Sequence, residues 1–253
     1  PPGVGVRFRR IDLPGAPEVP AEVDSIVESE LQRRTTLAAG GAKVFTVEHV
    51  LSAARGLGID DLIVEMDAPE PPFLDGSALP FVELFRQAGL SSRENAGHVA
   101  CGPLVIPETV VFSEGGAEIV ALPAQTLRVT YFYTSKHPLL SAQSASFDLG
   151  APETYVREIA PARTFCFFEE IEAMRRSGLI KGANLASAVV IGRKAILNDS
   201  LRFPDEPVRH KILDFIGDLA LLGRPLQGHF LAWRSGHRAN ALFALHLKRV
   251  LGL

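Results

Sequence analysis

The chain has 253 residues, enough to bury one large core or two medium ones, with 26 basic against 29 acidic side chains and a formal charge of −3. That balance, with no basic block and no aromatic-basic ladder, excludes a nucleic-acid partner. Cys101 and Cys166 are too few and too far apart for a disulfide framework or a cysteine–zinc site, and no apolar run approaches the roughly 20 residues of a transmembrane segment, so a reducing cytoplasm is the simplest setting.

The amino end, Pro1-Pro2-Gly3, has no initiating Met and no signal peptide, which suggests a fragment or a processed product. A strand is predicted at about 4–10, then an irregular segment, a second strand, a helix at about 46–56 and the strand Leu62-Ile63-Val64-Glu65-Met66. A proline-rich turn through Phe73-Leu74-Asp75-Gly76-Ser77-Ala78 leads to a helix near 79–88 that ends at Gly89. Ser91 to Gly97 is polar and reads as a linker, giving domains of 1–93 and 94–253. The second part repeats the plan with longer pieces. Strands are expected near 103–112, 117–121 and 127–133, helices near 152–159 and 168–177, and a strand over 188–192. A helix around His210, a strand over 229–234 and a helix over 238–251 complete it. Strands followed by helix pairs in two halves predict an α+β fold rather than a doubly wound sheet. No GxGxxG and no P-loop appears, so nucleotide-cofactor readings have no support.

The most informative stretch is His210-Lys211-Ile212-Leu213-Asp214-Phe215-Ile216-Gly217-Asp218. It sets an imidazole and two carboxylates at i, i+4 and i+8, one stripe on a helix of 3.6 residues per turn. Ile212, Leu213, Phe215 and Ile216 fall on other faces and would seat that helix in a core. Pro207 suits its first turn, Asp205 or Glu206 its cap, and Gly223 its stop. His and Asp one turn apart can share a zinc ion; the alternative is a solvated acidic stripe beside a surface histidine. Two further segments weigh on that choice, Glu48-His49 at the head of an apolar helix and His237 just after the turn glycine Gly236. A hydrolytic zinc site needs three protein ligands, an open position and acid–base groups nearby. His49, His210 and Asp214 can be the ligands, and Glu48 and His237 can move protons.

With Thr46-Val47-Glu48-His49, Phe73 to Ala78, Arg163-Thr164-Phe165, His210 to Asp214, Gly217-Asp218 and Ser235-Gly236-His237 in this order, the chain resembles the zinc-dependent UDP-3-O-acyl-N-acetylglucosamine deacetylases of lipid A biosynthesis. The likeness runs from about residue 4 to about residue 248. It implies two β-α-α-β domains with their helices between two outer sheets. It also implies a βαβ insert, here about 178–198, that makes a passage for the fatty acyl chain of a UDP-linked acylated amino sugar. Carried over, His49, His210 and Asp214 are the zinc ligands, Glu48 the general base and His237 the charged group that helps the amine leave. Asp218 orients His237, Thr164 helps polarise the amide carbonyl, and Lys211 lies on the substrate side. Phe165, Phe167, Leu179 and Ile180 line the sugar and acyl sites. The resemblance also admits a lost fusion to a hydroxyacyl-carrier dehydratase domain.

Two departures from the family pattern stand out. A first strand with a glycine–histidine element is missing, so the first sheet should be one strand short, and Ala183 replaces a glycine after Gly182, which would narrow the passage. Rival readings are a catalytically impaired binding relic of the fold, and a zinc amidohydrolase for another acylated amino sugar. Residue by residue, the alternatives are surface carboxylates for Glu48 and Asp218, a helix cap for Thr164, and core aromatics for Phe165 and Phe167. Lys181 and Arg202 would meet a diphosphate or stay solvated, and His98, His137, His229 and His246 fit no site.

Overall fold

The computed structural model describes residues 3–91, 102–176, 185 and 187–253. In the first half, β1 (Val6–Arg10) pairs antiparallel with β2 (Glu18–Pro20) and parallel with β5 (Leu62–Met66). A hairpin of β3 (Thr36–Ala39) and β4 (Ala42–Phe45) turns through Gly40 and Gly41, at φ 57° and 81°, the conformation a two-residue hairpin loop demands. Helix α1 (Glu48–Gly56) links that hairpin to β5, and α2 (Leu79–Ala88) stops at Gly89 with φ 82°.

The second half carries the larger sheet, in the order β10 (Ala142–Leu149), β9 (Leu127–Thr134), β13 (Leu226–Trp233), β8 (Ala117–Leu122), β7 (Val110–Glu114). The short β6 (Leu104–Val105) runs parallel to the start of β13. Beside this sheet lie α3 (Pro152–Glu158), α5 (Glu206–Leu219) and α6 (His237–Val250). A separate parallel pair, β11 (Phe165–Phe167) and β12 (Val189–Ile191), brackets α4 (Ile171–Arg176), so the βαβ unit opens well before the expected residue 178.

The α+β class holds. One continuous core joins Phe8, Val19 and Met66 of the first sheet to Ile119, Val129, Tyr131 and Phe230 of the second. Between them sit Val50 and Leu51 of α1, Ile212, Leu213, Phe215 and Ile216 of α5, and Phe243 and Leu247 of α6. Burying each large apolar side chain stabilises by about 1.5–3 kcal/mol, so α5, apolar on several faces, belongs at the centre. Gly217 lets α1 lie directly on α5: a Cβ there would stand 2.1 Å from the Glu48 carbonyl oxygen. The approach that makes the core therefore also brings Glu48 and His49 up to the stripe of α5.

Several expectations needed correction. β10 went unread because Ala142, Gln143, Ser144, Ala145 and Ser146 are small or polar on a largely exposed edge strand. The single strand expected before α1 is β2 followed by the β3–β4 hairpin. Thr164 caps no helix; it precedes β11, and α4 begins only at Ile171 after a 3-10 turn over Phe168–Glu170. Asp205 sits at the N-cap of α5 without a side-chain cap bond and instead accepts from Arg209 at 2.7 Å. The linker beyond Ser91, the boundary at 93 and 94, and His98, Cys101, Leu179, Ile180, Lys181 and Ala183 lie outside the described residues.

Candidate active site

The stripe of α5 is buried, not solvated: His210 and Asp214 are 2% exposed and Asp218 is fully covered. His49, in the first turn of α1, meets it across the helix contact. Asp214 Oδ1 lies 3.3 Å from His210 Nε2 and 3.7 Å from His49 Nε2, and among the described residues it has no hydrogen-bond partner. A buried carboxylate oxygen without a donor carries a desolvation cost unless a cation satisfies it. Ligands about 2.0–2.2 Å from a tetrahedral zinc ion stand roughly 3.3–3.6 Å apart, so this spacing fits one ion shared by three donors. All three donor atoms lie within 4.8 Å of one another.

Protonation states suit the same ion. Burial, partly opposed by Asp214, pushes the His210 imidazole down to about 3, so it is neutral near pH 7. Its Nδ1–H donates to the Ala162 carbonyl at 3.0 Å, which leaves the Nε2 lone pair facing Asp214. Burial works against charge on Asp214, yet His210, Lys211 and His237 hold its pKa well below the usual carboxylate range. Because His210 is itself neutral, the standing charges are the Lys211 ammonium, 2.7 Å from Asp214 Oδ2, and the His237 imidazolium, 3.7 Å from the same oxygen.

A second cluster, Glu48, Asp218 and His237, abuts the first. His237 opens α6, with Nδ1 3.0 Å from Asp218 Oδ2, and its Nε2 lies 3.8 Å from Glu48 Oε1 and 3.7 Å from Asp214 Oδ2. Burial disfavours the imidazolium, but Asp218, Glu48 and Asp214 outweigh it and push the pKa up to about 9. Burial raises Glu48 above the usual carboxylate range, with His237 and His49 opposing. The alternative of surface carboxylates is excluded, since Glu48 is 2% exposed and Asp218 fully buried.

Two residues that sequence reasoning missed hold these groups. The Thr35 hydroxyl donates to Asp218 Oδ1 at 2.6 Å while its amide donates to Glu48 Oε2 at 3.1 Å, so one residue ties both carboxylates. Asn240 Nδ2 donates to Asp218 Oδ2 at 2.8 Å. Asn240 stands three residues after His237 on the same helix, a spacing that could have found it. No local signal marks Thr35. Backbone strain gathers here too. Arg33, Thr46 and Arg234 have φ of 61°, 52° and 52°, each two or three residues before Thr35, Glu48 or His237. Such conformations cost about 1–3 kcal/mol each and persist where surrounding structure fixes them.

Lys211 Nζ also lies 5.8 Å from the Phe165 ring centroid, which places Phe165 beside the ligand cluster. Phe165 and Phe167 pack partly buried with Tyr133, Leu140, Val189 and Ile191 in a second, smaller apolar cluster. Phe167 stacks on His137 at 5.0 Å, so that histidine belongs to this wall, although the sequence offered it no place. Thr164 is fixed by its backbone: its amide donates to Gly76 O and its carbonyl accepts from Val189 N, both at 2.8 Å. Arg202 is neither free nor simply solvated, since it pairs with Asp75 at 2.8 Å.

A family model described as UDP-3-O-acyl N-acetylglycosamine deacetylase matches residues 1–249. The chain belongs to that family. Members are hydrolases acting on an amide, and several curated members resemble this chain closely. A UDP-3-O-acyl-N-acetylglucosamine deacetylase of Myxococcus xanthus (strain DK1622) is 42% identical over 95% of this chain and 74% of its own length. One from Anaeromyxobacter sp. (strain Fw109-5) is 45% identical over 95% of this chain and 76% of its own length. A bifunctional enzyme LpxC/FabZ of Chlorobaculum tepidum is 41% identical over 98% of this chain, which spans 58% of that relative's length.

Proposed function

We propose that this chain hydrolyses the N-acetyl group of UDP-3-O-acyl-N-acetylglucosamine, releasing acetate and a free glucosamine amine in lipid A biosynthesis, with zinc held by His49, His210 and Asp214. The observation that carries the reading is the orphaned Asp214 Oδ1 facing two imidazole nitrogens, beside a buried Glu48–His237–Asp218 relay. Bound zinc supplies Lewis acidity, which lowers the pKa of water to about 7 and polarises a carbonyl.

The chain's own residues manage the protons. Glu48 Oε2 is tied by the Thr35 amide, which leaves Oε1 to accept a proton from the attacking water. His237 uses Nδ1 on Asp218, so its Nε2–H is the free proton. It stabilises the oxyanion as charge develops on the acetyl oxygen and then protonates the departing nitrogen as the C–N bond breaks. Lys211, anchored on Asp214, sits where it can meet substrate without leaving the cluster. Thr164, held through Gly76, is assigned to the acetyl carbonyl.

The wall of Phe165, Phe167, Val189 and Ile191 supports an acyl site, since each buried methylene is worth roughly 0.8 kcal/mol. Among the described residues no helix is long and apolar enough to cross a membrane, and Cys166 is a free thiol, which supports a cytoplasmic reaction. The bifunctional relative supports the reading that chains of this family can be joined to a second enzyme. An assay on acylated and non-acylated UDP-N-acetylglucosamine tests the proposal. The acylated substrate is expected to react with a kcat/KM greater by orders of magnitude. Equal rates would leave the amide chemistry and remove the lipid A substrate.

A further inference from the structure

Glu206 lies one helical turn before His210, so the stripe of α5 is four deep: Glu206, His210, Asp214, Asp218. Its side chain is fully buried and accepts four hydrogen bonds. Oε1 takes the Arg163 amide at 3.0 Å and Arg163 Nε at 2.8 Å. Oε2 takes Arg163 Nη2 at 3.1 Å and the Arg202 amide at 2.8 Å. The Arg163 side chain, 9% exposed, is thus held in a two-point fork, and its Nη2 also reaches Ser200 O at 3.0 Å.

This pair grips the segment that serves the site. Ala162, immediately before Arg163, offers the carbonyl that fixes the His210 ring at 3.0 Å, and Thr164 follows immediately after. A buried ion pair adds little net stability over apolar packing, but its directional bonds fix where its two elements sit. We infer that Glu206 and Arg163 are a positioning pair that holds the Ala162 carbonyl against the His210 imidazole and sets Thr164 relative to the helix carrying Asp214. The inference rests on the reading of His210 and Asp214 as metal ligands.

The test uses the full chain, stripped of metal and titrated with zinc against a chromophoric chelator, then with cobalt for its visible spectrum. Glu206→Gln keeps the shape and removes the charge. It should weaken zinc affinity about 10–100-fold, the range for groups behind a metal ligand, and shift the cobalt bands. With residual metal saturated, kcat should fall while KM stays close to its normal value. Arg163→Lys keeps the charge and the backbone bond and should show smaller losses of both zinc affinity and kcat. His210→Ala is the control. If it loses metal while a folded Glu206→Gln binds zinc within twofold of the unmodified chain with an unchanged cobalt spectrum, the positioning role is overturned. Failure of both pair variants to fold assigns the pair to folding alone and overturns it too. Unchanged metal affinity in His210→Ala overturns the ligand reading itself, and this inference with it.

Discussion

The cluster around α5 and the unit from β11 to β12 meet at Phe165, yet they are built to different standards. Around α5 the histidines His49, His210 and His237 and the three carboxylates Glu48, Asp214 and Asp218 are buried, and Asp218 accepts from Thr35, Asn240 and His237. The β11–β12 unit has two three-residue strands, half-buried aromatics, and Phe168 and Leu197 exposed at its edge. Proton transfer and metal binding tolerate little misplacement, because hydrogen bonds weaken steeply with distance and angle. Selecting a flexible chain needs only apolar area, which is non-directional. On the proposed reading, the chemistry sits in the buried core while the substrate's tail is read by a thin outer element.

Substitutions in the buried cluster should therefore cost the most and change substrate preference least. Glu48→Gln should lower kcat by about 10²–10⁴, the range for a general acid–base group, with full metal content by elemental analysis. A near-normal kcat would remove Glu48 from the mechanism.

The pH profile sharpens the same contrast. In the proposed mechanism His237 acts in its protonated form, and with a pKa of about 9 it keeps that proton through neutral pH and loses it as pH rises past that value. The alkaline limb of kcat/KM should accordingly fall near pH 9. Replacing its hydrogen-bonded partner, Asp218→Asn, removes the leading attraction and should move that limb to lower pH by about one unit or more. An alkaline limb unmoved in Asp218→Asn would assign it to another group. Smaller again is Thr35→Val, which keeps the amide bond to Glu48 and deletes only the hydroxyl bond to Asp218. The expected loss is about 1–2 kcal/mol, or roughly tenfold in kcat, with KM unchanged in steady-state assays.

The outer unit supplies the smallest effect and the opposite signature. Phe167→Ala should lower kcat/KM roughly three- to tenfold on long-chain substrate, and hardly at all on short-chain substrate, because only apolar contact is lost. Equal losses across chain lengths, measured on a homologous series, would place Phe167 in the packing of the unit alone.

How legible the molecule was in its sequence follows the same divide. The α5 stripe could be read because three ionisable groups at four-residue spacing are improbable among apolar neighbours, and the period of a helix is local information. Glu206 shares that spacing but read as a cap, since nothing in the sequence shows that Arg163 would reach it across 43 positions. Thr35 was illegible for the same reason: its partner Asp218 lies 183 residues away. β10 was missed because small and polar residues on a solvated edge carry no apolar alternation. Long-range pairing and exposed edges are set by tertiary context, whereas buried helices announce themselves.

Everything in the proposed mechanism depends on His49, His210 and Asp214 holding one zinc ion. Zinc X-ray absorption on the metal-loaded chain tests it most directly. A first shell of nitrogen and oxygen at about 2.0–2.2 Å, with the multiple scattering of two imidazoles, is expected. A sulfur shell at about 2.3 Å, or a shell without imidazole scattering, would contradict it.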